Sequence, residues 1–290
     1  MNRFGYGDER TKMRQLSIRS LGPHGFHQVN YYEWGDPGNP RVLLCAHGLT
    51  RNGRDFDTLA AALADRYRVV CPDIVGRGLS DWLLHKEDYA YPIYCADMAA
   101  LIARTGAAQV DWLGTSMGGM IGMALASQPG NPIRSLVVND VGPFIPKASL
   151  DRIGVYVGMA PMFADFAEAE KYVRAVSAPF GPLTDAQWRH LTETSIKKEG
   201  EGYVFRYDPG IAANFRLVSG DVSLWPMWDA VACPTLIMRG GESDLLPEQT
   251  AREMTSRGPK ARVVEFSGIG HAPMLMSPDQ IEAVRAFLEE

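Results

Sequence analysis

A serine flanked by glycines is the feature of this 290-residue sequence that points most directly to chemistry. The segment Gly114-Thr115-Ser116-Met117-Gly118-Gly119 follows the strand-like run Val110–Leu113 and opens a helical pattern over Met117–Ser127. A G-x-S-x-G sequence between a strand and a helix is typical of a nucleophilic serine held on a sharp turn. Glycines suit such a turn because a serine held at the tip of a tight, strained turn leaves no room for side chains two residues before and after it. We therefore predict that Ser116 is a nucleophile; the alternative is a glycine-rich turn with an incidental serine.

A serine hydroxyl needs a general base, and the base needs an acid to orient it. On a strand–turn–helix scaffold of this kind the three residues follow in the order serine, acid, histidine. Four of the six histidines precede Ser116, which leaves His190 and His271. His190 falls on a predicted helix face, whereas His271 lies in a glycine-containing loop between the last predicted strand and the last helix. We predict that His271 is the base.

Two aspartates compete for the role of the orienting acid. Asp244 lies in the loop after the predicted strand Thr235–Met238, and Asp140 directly follows the earlier predicted strand Leu136–Asn139. We predict Asp244, because the acid should lie just after the strand that precedes the histidine loop. Within its own loop Asp244 is favoured over Glu242, because it lies further round and is followed by Leu-Leu-Pro. The alternative role of Asp140 is to cap or brace the segment that follows it.

The tetrahedral intermediate of acyl transfer needs backbone N–H donors. The N–H of Met117, next to the nucleophile, is one candidate. The second should come from the loop after the strand Val42–Ala46, and we predict the N–H of Leu49, with Gly48 giving room for close approach. His47 has no partner at metal-ligand spacing, so we expect it to make a structural hydrogen bond. We expect neither a metal nor a cofactor.

Strand and helix patterns alternate along the chain. Eight short runs have strand character: Gln15–Ser20, Gln28–Trp34, Val42–Ala46, Arg68–Cys71, Val110–Leu113, Leu136–Asn139, Thr235–Met238 and Arg262–Phe266. Helical patterns lie between and after them: Phe56–Ala64, Ile93–Arg104, Met117–Ser127 and Pro278–Leu288. Continuous apolar runs between helices predict an α/β fold with a mainly parallel sheet, and the two alternating runs at the start predict an antiparallel pair.

This alternation stops between residues 142 and 228, where helix-like segments occur without a convincing core strand. Those segments are Ser149–Met159, Ala164–Ala178, Thr184–Lys197 and Ala212–Val218. We therefore predict a core of residues 1–141 plus 229–290, with residues 142–228 inserted as a helical cap. We expect Met162 and Phe163 in this cap to bind the substrate; the alternative is that they only pack the cap onto the core.

Composition excludes several other classes of protein. The net charge of −5 disfavours a nucleic-acid partner. The segment Gly76–Asp81 begins like a dinucleotide-binding loop but lacks its third glycine, and no P-loop sequence is present. The uncharged interval between Asp111 and Arg134 is interrupted by glycines and prolines, so its apolar part is shorter than the ~20 residues of a membrane span.

The four cysteines are far apart and form no Cys-x-x-Cys pair. Free, mostly buried thiols are therefore expected instead of disulfides or a metal cluster. The segment Met1–Arg10 has no apolar run of signal-peptide type. Together these features predict a reduced protein of the cytoplasm. The sequence does not indicate an oligomeric state.

Taken together, the motifs resemble the α/β-hydrolase fold superfamily. The resemblance rests on His47-Gly48, Asp73-x-x-Gly76-x-Gly78-x-Ser80-Asp81, Gly114-x-Ser116-x-Gly118-Gly119, Asp244 and Gly270-His271, and it extends from Val42 to the C-terminus. The chain is most similar to bacterial carboxylesterases with a helical cap, some of which accept aliphatic polyesters. This resemblance implies a serine hydrolase that forms an acyl-enzyme intermediate. Its substrates would be small-molecule esters with small to medium apolar acyl groups, or polyester oligomers.

Other activities on the same scaffold are partly separable by sequence. A serine at position 116, where dehalogenases and epoxide hydrolases have aspartate, argues against both of those activities. Carbon–carbon bond hydrolases usually have a Gly-Pro-Gly-like stretch where this chain has Leu49–Gly53, so this alternative is less favoured. Cofactor-free haloperoxidases share the triad and stay open as an alternative. A non-catalytic ligand receptor ranks last, because all three triad positions are filled.

Overall fold

The computed structural model describes residues 12–290, and an eight-stranded sheet forms its centre. The segment Met1–Arg10, in which no export signal is expected, lies outside the described residues. The sheet contains β1 (Arg14–Gly22), β2 (Gly25–Trp34), β3 (Val42–Ala46), β4 (Arg68–Pro72), β5 (Val110–Thr115), β6 (Ile133–Asn139), β11 (Thr235–Gly240) and β12 (Arg262–Phe266). Their spatial order is β1-β2-β4-β3-β5-β6-β11-β12. Each of the eight predicted strands falls within one of these strands.

Only the first part of the sheet is antiparallel. Strand β2 pairs antiparallel with both β1 and β4, and every later pairing is parallel. In β3, Leu44 and Ala46 belong to one apolar cluster while Leu43 and Cys45 belong to the other. Because side chains alternate along a strand, β3 contributes to the cores on both faces of the sheet. A continuous apolar run is the sequence pattern of such a doubly covered strand.

Ten helices of the described chain cover the sheet or lie above it. They are α1 (Asp57–Leu63), α2 (Tyr91–Thr105), α3 (Met117–Ala126), α4 (Lys147–Gly154), α5 (Phe166–Val176), α6 (Asp185–Ser195), α7 (Ala212–Phe215), α8 (Trp225–Asp229), α9 (Glu248–Met254) and α10 (Pro278–Leu288). Residues of α2 and α3 join one apolar cluster, and residues of α1 and α10 join the other. The predicted α/β architecture, a mainly parallel sheet flanked by helices, is thus confirmed. None of the helices within residues 12–290 is long and apolar enough to cross a membrane.

The segment between β6 and β11 adds no strand to the eight-stranded sheet. Besides α4 to α8 it contains a short pair, β7 (Phe144–Ile145) with β10 (Val222–Ser223), and a hairpin, β8 (Ile196–Glu199) with β9 (Gly202–Phe205). The hairpin was not predicted, since the helical pattern was expected to continue through Lys197. Gly200 at φ +60° makes the hairpin turn, and Tyr203 pairs with Phe163 across an isolated bridge. Tertiary pairing therefore ends the helix at Ser195. The division into a core and an inserted cap stays our interpretation.

The parallel strands determine where a site can form. The loops that follow β3, β5, β6, β11 and β12 all leave the same edge of the sheet, because parallel strands share a direction. Binding sites of open α/β sheets lie at this carboxyl edge. The predicted functional residues of the core lie in these five loops.

Candidate active site

Ser116 lies on the sharp turn between β5 and α3. Its backbone angles, φ 53° and ψ −114°, are unusual for a residue with a side chain. A Cβ atom at Gly114 would be 2.1 Å from the carbonyl oxygen of Gly118, and a Cβ at Gly118 would be 2.0 Å from that of Ala46. Both positions therefore require glycine. The turn places the serine hydroxyl at the carboxyl edge of the sheet, as the sequence predicts.

A chain of hydrogen bonds joins the serine to a buried carboxylate through His271. The Ser116 hydroxyl lies 3.0 Å from Nε2 of His271, and Nδ1 of the same ring lies 2.8 Å from Oδ2 of Asp140. An ionised carboxylate only accepts hydrogen bonds, so Nδ1 carries the proton and Nε2 can accept the proton of the serine. This is the arrangement that activates a serine for nucleophilic attack.

Asp140 is held firmly in this position. It is fully buried at the end of β6, and its own N–H donates to the carbonyl of Met238 on the neighbouring strand. The carboxylate accepts the N–H of Gly240 at 2.8 Å and the hydroxyl of Ser243 at 2.6 Å, in addition to the His271 ring. These donors satisfy a buried negative charge that would otherwise be costly.

The prediction that Asp244 lies against His271 is wrong. Asp244 is half-exposed and pairs with Arg152 of α4 through two hydrogen bonds of 2.6 and 2.8 Å. Both aspartates follow strands that end at the carboxyl edge, so the order of the residues along the chain could not separate them. The loop that carries His271 reaches the end of β6, so its ring bonds to Asp140, the alternative candidate. Asp244 binds Arg152 of the inserted segment.

The loop after β3 brings Gly48 and Leu49 to the same chamber as Ser116. A Cβ built on Gly48 would lie 3.7 Å from Cβ of Ser116. The fully buried His47 donates from Nδ1 to the Gly48 carbonyl at 2.7 Å and accepts the Ile74 N–H at Nε2. Burial lowers the pKa of His47 to about 3, which keeps the ring neutral. The Gly48 carbonyl and the Leu49 N–H belong to the same trans peptide and point in opposite directions. The hydrogen bond from His47 to the Gly48 carbonyl therefore directs the Leu49 N–H away from His47.

A buried guanidinium supports the same loop from the other side. Arg77 is fully buried, and its Nε donates to the Leu49 carbonyl at 2.8 Å while Nη2 contacts Sδ of Met117 at 3.6 Å. Its other hydrogen bonds go to the Val75 carbonyl and the Tyr94 hydroxyl, so all four partners are uncharged. Arg77 therefore contacts both residues that we predict to donate to the oxyanion. The sequence of its segment, Gly76–Asp81, resembles an incomplete dinucleotide loop and gives no signal for this supporting role.

Two chambers meet at Ser116, and the larger one is apolar. It has a volume of about 570 Å³. Its wall includes Met117, Met120, Val141, Ile145, Leu150, Ile153, Phe215, Leu224, Met227 and Leu245, and none of its lining residues in the described chain is charged. Such a volume lies in the range of ligand-binding pockets, and its surface suits an aliphatic acyl chain.

The smaller chamber, of about 100 Å³, is more polar. It contains His271 and the side chains of Arg51, Asp55, Arg152 and Tyr156. Ser116, Leu49 and Ile153 line both chambers, so Ser116 lies at their junction. The two arginines carry no sequence signal for a site, because only the fold brings Arg51 of the β3 loop and Arg152 of α4 to the same chamber.

The two predicted substrate-binding residues of the inserted segment line neither chamber. Met162 is exposed at the surface. Phe163 is buried, and its ring packs against those of Tyr172 and Phe205, with centroid distances of 5.3 and 5.5 Å. Tyr172 and Phe205 do line the polar chamber, so Phe163 supports the chamber wall from behind. The prediction that Met162 and Phe163 contact substrate directly is therefore wrong in this geometry.

The comparisons with known proteins agree with the fold. Residues 41–278 match the model of the alpha/beta hydrolase fold family. The chain is 46% identical to a 3-hydroxybutyrate-oligomer hydrolase of Cupriavidus necator, across 93% of this chain and 96% of that protein. It is 26% identical to an esterase of Mycobacterium tuberculosis, across 90% and 86% of the two chains. A solved alpha/beta hydrolase from Novosphingobium aromaticivorans superposes with a TM-score of 0.86 at 35% identity, covering 98% of this chain and 99% of that one.

The chain belongs to the α/β hydrolase family. The relatives also confirm the prediction of an ester-hydrolysing enzyme.

Proposed function

We propose that this ester-hydrolysing enzyme uses Ser116, His271 and Asp140 to cleave the ester bonds of short 3-hydroxybutyrate oligomers. The observation that carries the proposal is the hydrogen-bonded chain from Asp140 through His271 to Ser116, located where the two chambers meet. The substrate class comes from the relative that is 46% identical over nearly the whole chain.

In the first half of the reaction, the Ser116 oxygen attacks the ester carbonyl and its proton passes to Nε2 of His271. The carbonyl oxygen becomes an oxyanion, for which we propose the N–H groups of Leu49 and Met117 as donors. Met117 is the first residue of α3, and the first N–H groups of a helix have no acceptor within it. When the intermediate collapses, the carbon–oxygen bond to the alcohol breaks, and the leaving oxygen takes the proton from His271.

The second half of the reaction releases the acyl group. A water molecule gives its proton to Nε2 of His271 and attacks the acyl carbon, and the bond to the Ser116 oxygen then breaks. The serine recovers its proton from His271, and the acid leaves. Asp140 stays ionised throughout, because its role is to fix the ring orientation and to stabilise the protonated imidazole.

We also propose that residues 142–228 act as a cap over the site. Arg152, Ile153 and Tyr156 from this segment line the polar chamber, and Phe215 and Leu224 line the apolar one. A cap in this position would exclude water from the reacting ester and determine which acyl groups fit. The location in the cytoplasm that the free cysteines suggest is a further proposal, which cell fractionation would test.

The test is turnover of a 3-hydroxybutyrate trimer beside a series of p-nitrophenyl esters, with Ser116→Ala as the catalytic variant. We expect trimer hydrolysis by the wild type and a loss of several powers of ten in the variant, with its fold unchanged. A fluorophosphonate probe should add to Ser116, as measured by mass spectrometry. Normal turnover by a folded Ser116→Ala protein would refute the triad. Cleavage of p-nitrophenyl esters but not of the trimer would refute the substrate class alone.

The same preparation tests the remaining activities of this scaffold. A ring-cleavage ketone assay and a peracid assay report on carbon–carbon bond hydrolysis and haloperoxidase activity. We expect ester turnover to exceed both by orders of magnitude.

A further inference from the structure

Two guanidinium groups stand at the wall of the polar chamber in fixed orientations. Arg51, in the loop after β3, donates to Asp55 at 2.6 and 2.9 Å and to the Ser195 hydroxyl at 3.0 Å. Arg152 donates to Asp244 from Nε and Nη2. These bonds leave N–H groups on both arginines for a further acceptor, since a guanidinium has five donors. A preorganised arginine loses less conformational entropy when it binds a ligand.

Both arginines line this chamber, and each is paired with one carboxylate, Arg51 with Asp55 and Arg152 with Asp244. Asp55 is part of the lining, whereas Asp244 is not. The chamber therefore offers an anion the N–H groups of the two guanidiniums that these pairs leave over. Tyr156 adds a hydroxyl donor, and burial raises the pKa of its phenol, so that it stays protonated. The chamber thus offers several donors to an anion, directly beside the nucleophile.

The contrast between the chambers orients a substrate that has one charged end. The apolar chamber has no charged lining residue in the described chain, so an anion entering it would lose its hydration without compensation. It is also larger, at about 570 Å³ against about 100 Å³. A hydroxyalkanoate oligomer has a free carboxylate at one end and repeated apolar ester units toward the other.

We propose that the polar chamber is a carboxylate-binding subsite that selects the carboxyl end of the oligomer. The terminal unit binds there, with its carboxylate at Arg51 and Arg152, and the rest of the chain lies in the apolar chamber. The ester bond next to the terminal unit then breaks at Ser116. This unit leaves as a free hydroxy acid whose new hydroxyl takes its proton from His271. The enzyme removes one unit per turnover from the carboxyl end. This inference rests on the proposed function.

Three forms of one 3-hydroxybutyrate trimer test the inference: the free acid, its methyl ester, and the free acid with its terminal hydroxyl acetylated. We expect the methyl ester to lower kcat/KM by roughly 10–100-fold, because it removes a charge-assisted hydrogen-bonded pair. Acetylation of the far hydroxyl should change kcat/KM by less than about threefold, because that end lies in the apolar chamber.

The arginine variants show whether the discrimination comes from this chamber. In Arg152→Gln and in Arg51→Gln the ratio of free acid to methyl ester should fall toward one. Arg174→Gln is the matched control, because Arg174 also lies on a helix of the cap and pairs with two acidic residues, but lines neither chamber. It should keep the wild-type ratio. Circular dichroism checks the fold of each variant.

A carbon-13 label in the carboxyl-terminal unit gives an independent measurement. The label should appear first in free monomer. If the wild type cleaves the free acid and the methyl ester equally, or releases unlabelled monomer first, the inference is overturned while the proposed oligomer hydrolysis stands. If p-nitrophenyl butyrate is cleaved but no trimer is, both the inference and the proposed substrate class are overturned.

Discussion

Replacing Asp140 with asparagine should inactivate the enzyme without unfolding it. Three donors point at the two carboxylate oxygens: the N–H of Gly240 at Oδ1, and the Ser243 hydroxyl and the His271 ring at Oδ2. An asparagine has only one oxygen, so its NH₂ group must face one side. If the NH₂ group faces Gly240, it meets the Gly240 N–H, and neither group can accept a hydrogen bond. Leaving these donors unpaired in the interior costs about 1–3 kcal/mol of stability.

The alternative orientation turns the NH₂ group toward His271, and the ring can adapt to it. Nδ1 then accepts the hydrogen bond and Nε2 carries the proton, so Nε2 can no longer accept the proton of Ser116. We expect the amide to adopt this orientation. Loss of the correct tautomer in a serine triad lowers kcat by about 10⁴, which corresponds to about 5.4 kcal/mol of transition-state stabilisation.

The assay is steady-state hydrolysis of p-nitrophenyl butyrate by the wild type, Asp140→Asn and Asp244→Asn. The Asp244→Asn variant should lose less than about threefold, because its half-exposed ion pair with Arg152 does not touch the ring. The melting temperature of each variant shows that it is folded. A folded Asp140→Asn protein within tenfold of wild-type kcat would refute the tautomer argument. A larger loss of kcat in Asp244→Asn than in Asp140→Asn would show that Asp244 is the acid that orients His271.

Three other predictions follow from the same structure. Arg77→Met should lower kcat by about 10–100-fold with little change in KM, because Leu49 and Met117 lose the side chain that supports them. Arg68→Met, at the opposite edge of the sheet, should reduce only the melting temperature, and equal kcat values in the two variants would contradict the prediction. Phe163→Ala should lower the free energy of unfolding by about 3–5 kcal/mol, because Phe163 is buried, and Met162→Ala should change it by no more than about 0.5 kcal/mol, because Met162 is exposed. Met162→Ala should also leave the preferred acyl length unchanged, and a shift in that preference would show that Met162 contacts the substrate. A hydrogen bond to the buried Asp97 raises the pKa of His27 above 6.5. The pair therefore stabilises the fold fully below about pH 6.5, and this stabilisation is lost as the pH rises through the raised pKa. The difference in melting temperature between wild type and His27→Gln should shrink from pH 6 to pH 9, and a constant difference would show that the pair is not charged.

The sequence by itself determined the sheet, the sharp turn that carries Ser116 and the histidine that lies beside this serine. A continuous apolar run such as Val42–Ala46 is typical of a strand that is covered on both faces, as in a parallel sheet. The glycines around Ser116 have a local steric cause that is visible in the residues themselves. His271 followed from the chain order of a serine triad, because His190 was the only other histidine after the nucleophile. These features depend on neighbours in sequence or on a fixed order, so a linear pattern is sufficient to predict them.

Only the tertiary structure decided which side chains meet at the site. Asp140 and Asp244 follow parallel strands that end at the same edge, and the path of the histidine loop selects Asp140. The burial of Phe163 and the exposure of Met162 depend on the unpredicted hairpin, which supplies Tyr203 and Phe205 as partners. The polar chamber likewise needs Arg51 and Arg152, which are about a hundred residues apart in sequence. Contacts between distant segments depend on how loops and helices pack, and residue spacing along the chain does not contain this information.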